Sequence, residues 1–438
     1  MKKTYIVIGA SAAGIGALTK LRTLDKEATI ICVTAEKEMP YNRCLLADYL
    51  AGTKTIDDVA TKKSDFFTTN NITLILDAQV TKIIPDQHKI LVSTGRSYPS
   101  IPQDERQRSG ARTDPEQATR VEWIEVQERH LEFTYDKLFI GAGRSTVMPK
   151  IPGYNLAGVF PFYDLSDVTK ILAYITEHKP KKAIVIGAGL SGVECADALT
   201  HHEIPVTLIE RAAHLLPHQL DLSGAQLLEK IMNLKNVTIR ANTSVQEISC
   251  QNTDQNTNTP KTVTHLTLSN HEVIPCDIVI FAIGGRTNSW LASDAGLETL
   301  GNGILVNSIM QTSNPDIFAG GDICMIKDKL SNDMVQSCLW PDAVMQGMTA
   351  AHGMIGTPKE YQGTLIVTSS HIFGTTFVTC GPVTNSEHNY QEVIRQNETY
   401  YHKFLLHEKK LKGFIMVGNV DKVGQLRRLL QEQTEAEL

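Results

Sequence analysis

The stretch "MPYNRCLLADYL", residues 39 to 50, sets one cysteine, Cys44, in a basic-aromatic turn. A thiolate at that place could attack a disulfide or a peroxide, and Arg43 beside it would lower the thiol pKa. The plainer reading is a small apolar residue filling a gap, since free cysteine is more often buried and inert. Cys195, on an expected helix, and Cys32, in an apolar strand, read as buried filler. The eight cysteines contain no CxxC pair and no metal-ligand spacing, which argues against a dithiol motif, a zinc ribbon and a cysteine-ligated cluster. His214 and His218 are spaced HxxxH, but Pro217 between them disfavours the helix that would put both rings on one face. No metal site is expected.

A second kind of chemistry lies in two glycine turns. Gly187-Ala-Gly189-Leu190-Ser191-Gly192 has the full GxGxxG spacing after an apolar run, and a helical stretch follows. Its glycines permit a tight turn, close approach of a pyrophosphate and tight helix–strand packing, while the helix start meets negative charge. Glu210 lies eighteen residues past the last glycine, at the end of the next β-rich run. A carboxylate there accepts from a ribose diol and repels a 2′-phosphate, which favours NADH over NADPH, with Arg211 pulling the other way. The first turn, Gly9-Ala-Ser11-Ala12-Ala13-Gly14, carries serine in place of the middle glycine. Glu36 is its candidate ribose partner, with Glu38 as rival.

The elements around these turns repeat in order. "TYIVIGASAAGIGALTKL" and "KKAIVIGAGLSGVECADALTHH" each read as strand, turn and helix, and "ATIICVTAE" and "IPVTLIE" follow them as second strands. The expected fold is α/β, with two Rossmann-like dinucleotide-binding domains and a small α+β C-terminal domain. The polar stretches 97–118 and 251–262 have loop composition and read as extended hairpin loops. A formal net charge of −6 over 438 residues leaves no basic footprint for nucleic acid or an anionic membrane. No uninterrupted apolar stretch of about 18 residues occurs, and "MKKTYIVIGAS" breaks into glycines at once. The cytoplasm is the default expectation.

"YDKLFIGAGRSTVMPKIPG" (135–153) and "NPDIFAGGDIC" (314–324), taken with the two turns, resemble the FAD- and NAD(P)-dependent pyridine nucleotide–disulfide oxidoreductase superfamily. Gly141-Ala142-Gly143 stands where that family usually has ATG. The resemblance implies that the first turn and Glu36 hold FAD, that Asp322 accepts from a ribityl hydroxyl, and that the second turn and Glu210 hold NADH. The implied cofactor-binding set extends to Arg43, Val80, Ala142, Trp340, Pro341, Glu194 and Gly284. It divides the chain into an FAD domain (1–152 and 275–349), an NAD domain (153–274) and a C-terminal interface domain (350–438).

Within the superfamily the chain is similar to the FAD module of nitrite reductase and to rubredoxin and ferredoxin reductases. Tyr41, Arg43 and Leu46 match one motif, Trp340, Pro341, Ala343, Val344, Gln346 and Gly347 a second, and Leu411 through Asp421 a third. Pro341 suits a helix start whose positive end would face the flavin. The implied activity is NADH oxidation with electrons passed to a protein carrier, the C-terminal part forming a homodimer interface or a docking face. Cys44 also sits where coenzyme A disulfide reductases and NADH oxidases or peroxidases keep a redox cysteine. Ala12 replaces the histidine of the oxidase and peroxidase branch, and Ala47-Asp48 replaces the Pro-Tyr of the coenzyme A branch. The expectation is therefore a packing residue. A reading of another class is a non-catalytic NADH-responsive scaffold, like the apoptosis-inducing factor branch.

Overall fold

The computed structural model describes residues 2–94, 129–250, 261–384 and 389–436. Two five-stranded parallel sheets share one plan. In the first, the strand order is Ile317–Ala319, Lys137–Ile140, Thr4–Ile8, Thr29–Val33 and Ile72–Ile75. In the second it is Val159–Pro161, Ile278–Phe281, Ala183–Ile186, Val206–Ile209 and Val237–Arg240. Both central strands are near-continuous apolar runs, as burial on two faces requires. Each unit also carries a three-stranded antiparallel sheet, Ala78–Ile84 with Lys89–Thr94 and Arg129–Thr134 in the first, and Val245–Ser249 with His265–Leu268 and Val273–Pro275 in the second. The stretch 97–118 expected as a hairpin loop lies outside the described residues, as does 251–262 apart from Lys261 and Thr262.

The two crossings between the units pair with each other. Arg144–Thr146, leaving the first unit, runs antiparallel to Gly285–Thr287, returning to it. This ribbon corrects two expected boundaries. Position 274/275 was expected to end the NAD domain, yet Ile278–Phe281 is the neighbour of the central strand in the second sheet. The second unit therefore runs to Phe281, and the crossing, not residue 152, ends the first segment. The boundary at 350 is also corrected, because it cuts the helix Trp340–Met354, whose Ala350, Ala351 and Met354 are buried in the first core. That helix crosses Ala12–Leu24 at close range. A Cβ at Gly16 would meet the Val344 carbonyl, and one at Gly347 would meet that of Ala13.

The C-terminal part is a five-stranded antiparallel sheet, in the order Val367–Ile372, Thr375–Cys380, Lys410–Val417, Tyr401–His407 and Gln391–Gln396. The amphipathic helix Val423–Glu432 covers one face through Leu426 and Leu430. The other face packs Phe377, Tyr401, Ile415 and Val417 on the second unit. There Tyr401 Oη donates to Asp221 Oδ2 at 2.6 Å, and Lys403 Nζ, almost fully buried, lies 3.2 Å from the same oxygen. No helix among the described residues is long and apolar enough to cross a membrane.

Candidate functional site

The first turn lies where the Thr4–Ile8 strand meets the Ala12–Leu24 helix. Gly9 has φ +93°, and a Cβ there would run into the Gly141 carbonyl, so only glycine serves. A Cβ at Gly14 would strike the Gly9 carbonyl oxygen. Gly14 therefore shapes the turn itself, besides admitting the strand. Ser11 is the N-cap but makes no side-chain capping bond, and the first turn of the helix, with Ala12 and Ala13, holds no acidic residue. Two other helices, Leu165–His178 and Leu222–Asn233, are instead capped by the side chains of Asp164 and Asp221. The uncapped start and the absence of a carboxylate suit a bound anion.

Glu36 lines a narrow crevice with Ser11, Thr34, Glu38, Tyr41 and Arg43. Its carboxylate forms an ion pair with Arg43. Arg43 Nη1 also donates to the Tyr163 carbonyl at 3.0 Å, and its guanidinium lies 4.8 Å from the Tyr163 ring and 5.6 Å from the Tyr41 ring. Burial opposes the Arg43 charge, but Glu36 and the two tyrosines outweigh it and push the pKa up. Glu38 is pushed up by burial, and then by Asp164 and Glu36.

This arrangement corrects the expected influence of Arg43 on the neighbouring sulfur. Cys44 is the middle residue of the short helical stretch Arg43–Leu45, capped by Asn42, whose Oδ1 accepts from the Cys44 N–H at 3.0 Å. The thiol is exposed, yet flanking protein desolvates it and pushes its pKa up, with Glu194 and Asp322 adding to the rise. Arg43 is committed to Glu36 and Tyr163. Cys32 and Cys195 are buried, as expected.

Asp322 follows Gly321, which has φ +87° and donates its N–H to Gln346 Oε1 at 2.7 Å. That bond ties the "GGD" turn to the helix Trp340–Met354. Burial pushes the Asp322 carboxyl up, against the pull of Arg144 and Arg43. Trp340, half-buried, begins the helix, with exposed Pro341 second. Asp342 in that first turn accepts from Thr364 Oγ1, so a carboxylate already sits at the positive end. Gly141 donates to the Ile8 carbonyl at 2.8 Å, and the Ala142 carbonyl accepts from Asn288 at 2.8 Å. Gly143, at φ +57°, has open space around it. Val80 is buried in the first core at an irregularity of the hairpin.

The second turn opens on a cleft of about 1750 Å³. Gly187 has φ +100°, and a Cβ at Gly192 would hit its carbonyl, whereas a Cβ at Gly189 would meet nothing within 4 Å. Gly189 is thus the one glycine of this turn that its own packing does not require. Leu190 and Ser191 start a helix with no acidic residue in its first turn. Glu210 Oε2 accepts from Ala188 N and Oε1 from Ala212 N, each at 2.7 Å. Arg211 and Gly284 line the same cleft. Glu194, expected in the cofactor set, is not among the lining residues. Its Oε1 accepts from Ser370 Oγ of the C-terminal sheet at 2.8 Å, and burial and Asp48 push its pKa up.

Sequence reading passed over Arg144. Its Nη2 donates to the Gly285 carbonyl at 2.6 Å across the ribbon, and its Nη1 lies 3.4 Å from the sulfur of Cys338. Its own carbonyl accepts from Tyr163 Oη at 2.7 Å. A charged residue directly after "IGAG" was the available signal.

The family profile described as pyridine nucleotide-disulphide oxidoreductase matches residues 3–347. The chain is 27% identical over 439 residues to an assimilatory nitrate reductase electron transfer subunit of Bacillus subtilis, covering 99% of this chain and 50% of that protein. A nitrite reductase [NAD(P)H] of the same organism is 25% identical, with 99% and 48% covered. The chain thus spans about half the length of these two relatives. An NADH-rubredoxin oxidoreductase of Clostridium acetobutylicum is 26% identical over 433 residues, covering 98% and 95%. Among solved structures, a NAD-dependent persulfide reductase from A. fulgidus superposes with a TM-score of 0.82 at 23% identity, covering 99% and 77%, which shows a shared fold.

Proposed function

The chain belongs to the pyridine nucleotide-disulphide oxidoreductase family, and from that premise we propose that it is an FAD-dependent NADH:acceptor oxidoreductase whose onward acceptor is a protein redox carrier. Bound FAD supplies the chemistry that joins a hydride donor to one-electron acceptors. The bare start of the Ala12–Leu24 helix and the Glu36 crevice fit its pyrophosphate and ribose, and Asp322 and Trp340 stand at its flavin end. The second unit takes NADH, with Gly189 admitting the pyrophosphate and Glu210 receiving the ribose diol. The ribbon and Arg144 tie the two units together, which would fix the orientation of bound FAD relative to NADH.

The observation that carries the choice of acceptor is the setting of Cys44. A nearby cation favours a redox thiolate, whereas burial and the fields of Glu194 and Asp322 push this thiol's pKa up while Arg43 is paired with Glu36. The Clostridium relative, named for rubredoxin, supports the same reading. A second reading rests on the exposure of that thiol: a Cys44-dependent disulfide reductase or NADH oxidase. Steady-state turnover with NADH against ferricyanide, reduced-carrier formation with rubredoxin or a ferredoxin, and coenzyme A disulfide separates them. Turnover with dye and carrier, but not with the disulfide, is expected. Turnover confined to disulfide or oxygen would replace the carrier reading.

A further inference from the structure

NADH gives up a hydride, two electrons with one proton, so NADH and FAD yield NAD⁺ and a reduced flavin with one further negative charge. Positive charge held at the flavin end therefore favours that step. The start of the helix Trp340–Met354 stands there, yet Asp342 in its first turn offsets the positive end. Arg43, whose field reaches Asp322, is paired with Glu36.

Arg144 is placed differently. It lines the cleft beside Cys338 and Leu339, the two residues before Trp340, and beside Ile283 and Gly284 on the returning crossing. Its Nη2 donates to the Gly285 carbonyl at 2.6 Å, its Nη1 lies 3.4 Å from the Cys338 sulfur, and its buried Nε has no hydrogen-bond partner. None of these neighbours carries a negative charge. Flanking protein, and then Asp322, push the Cys338 thiol up to about 11, so it is uncharged at neutral pH. No carboxylate among the described residues forms an ion pair with Arg144. Asp322 feels its field without meeting it. The side chain is half-buried, where a charge is screened less than in open water.

We propose that Arg144 sets the potential of the bound flavin. Its guanidinium, held by the ribbon beside the start of the Trp340–Met354 helix, supplies the positive field that Asp342 takes from that helix. The residue acts through its charge on the reduced ring and takes no electron or proton itself. This rests on the chain holding FAD with its flavin end at Asp322 and Trp340.

The test is the two-electron midpoint potential of the flavin-loaded protein at neutral pH, measured by equilibration with an indicator dye. Parent, Arg144→Gln, Arg144→Lys and Asp342→Asn are compared, with flavin content recorded for each. Glutamine keeps an N–H for the Gly285 carbonyl and drops the charge, lysine keeps the charge, and asparagine keeps an acceptor for Thr364. Arg144→Gln should weaken the equilibrium for flavin reduction at least about tenfold, a potential about 30 mV more negative for a two-electron couple. Arg144→Lys should stay within about threefold of the parent. Asp342→Asn should move the other way, toward easier reduction. Equal potentials in the parent and Arg144→Gln, or a lysine variant displaced as far as the glutamine one, would overturn the inference. If Arg144→Gln loses its flavin, Asp342→Asn decides, and a potential at or below the parent's there counts against the inference. A parent that binds no FAD would instead sink the proposed function, and this inference with it.

Discussion

The two glycine-turn units are built on one plan but hold their carboxylates differently. Glu36 is clamped by an ion pair to Arg43, inside a crevice walled by Tyr41 and Glu38. Glu210 is held by two backbone N–H groups, and its side of the turn opens on a broad cleft. The first arrangement suits a group that is bound and kept. The second suits one that enters and leaves with each turnover. The glycines divide along a different line. Gly9, Gly14, Gly187 and Gly192 are demanded by the backbone that surrounds them, while Gly189 has space for a side chain that only a ligand would contest.

The largest effect that would break this comparison is at Gly14. Gly14→Ala drives a Cβ into the Gly9 carbonyl and should cost on the order of 4 kcal/mol, read as loss of cooperative thermal unfolding. Normal melting in that variant would contradict the packing argument. Asp322→Ala comes next, and purified protein should lose most of its flavin absorbance while keeping its far-ultraviolet circular dichroism. Full flavin retention would move the site away from the "GGD" turn.

Much of this was legible beforehand. The two strand–turn–helix copies, the carboxylates closing their second strands and the helix at Trp340 are local patterns, and local patterns survive in sequence. The pairing of Ile278–Phe281 beside Ala183–Ile186 is not local, since parallel neighbours are joined through distant chain, and so the expected boundary at 275 fell inside a sheet. Adjacency also misled at Arg43. Neighbours in sequence on a short helical turn point different ways, and the guanidinium found Glu36 and Tyr163 while the sulfur stayed unpaired with it, its pKa pushed up by burial and by the fields of Glu194 and Asp322. Arg144 shows its role only once both crossings lie side by side.

Smaller effects sharpen the second unit. Glu210 beside a 2′-phosphate is a like-charge contact, so kcat/KM should favour NADH by about tenfold, near 1.4 kcal/mol. A preference for NADPH would assign control to Arg211. Gly189→Ala should raise KM for NADH by about tenfold, again about 1.4 kcal/mol, with the melting temperature almost unchanged. A large drop in melting temperature would make Gly189 a structural glycine like the others. The smallest effect concerns the sulfur. Its pKa is raised, so less thiolate is present at any given pH below it. Iodoacetamide should modify Cys44 more slowly at pH 7.5 than an ordinary cysteine, with a rate still climbing above pH 9. Rapid modification at neutral pH would show a cation at the sulfur after all.

The most direct measurement is an anaerobic NADH titration of the flavin-loaded protein and of its Cys44→Ser variant, followed by absorbance. With hydride passing to the flavin and the sulfur outside the electron path, the first equivalent should bleach the flavin band in both proteins, and dye turnover should agree within a few-fold. The contrary result is an oxidised flavin band that persists through that equivalent, beside a long-wavelength thiolate-to-flavin absorption in the parent alone. That outcome would make Cys44 the reacting atom and the carrier reading wrong.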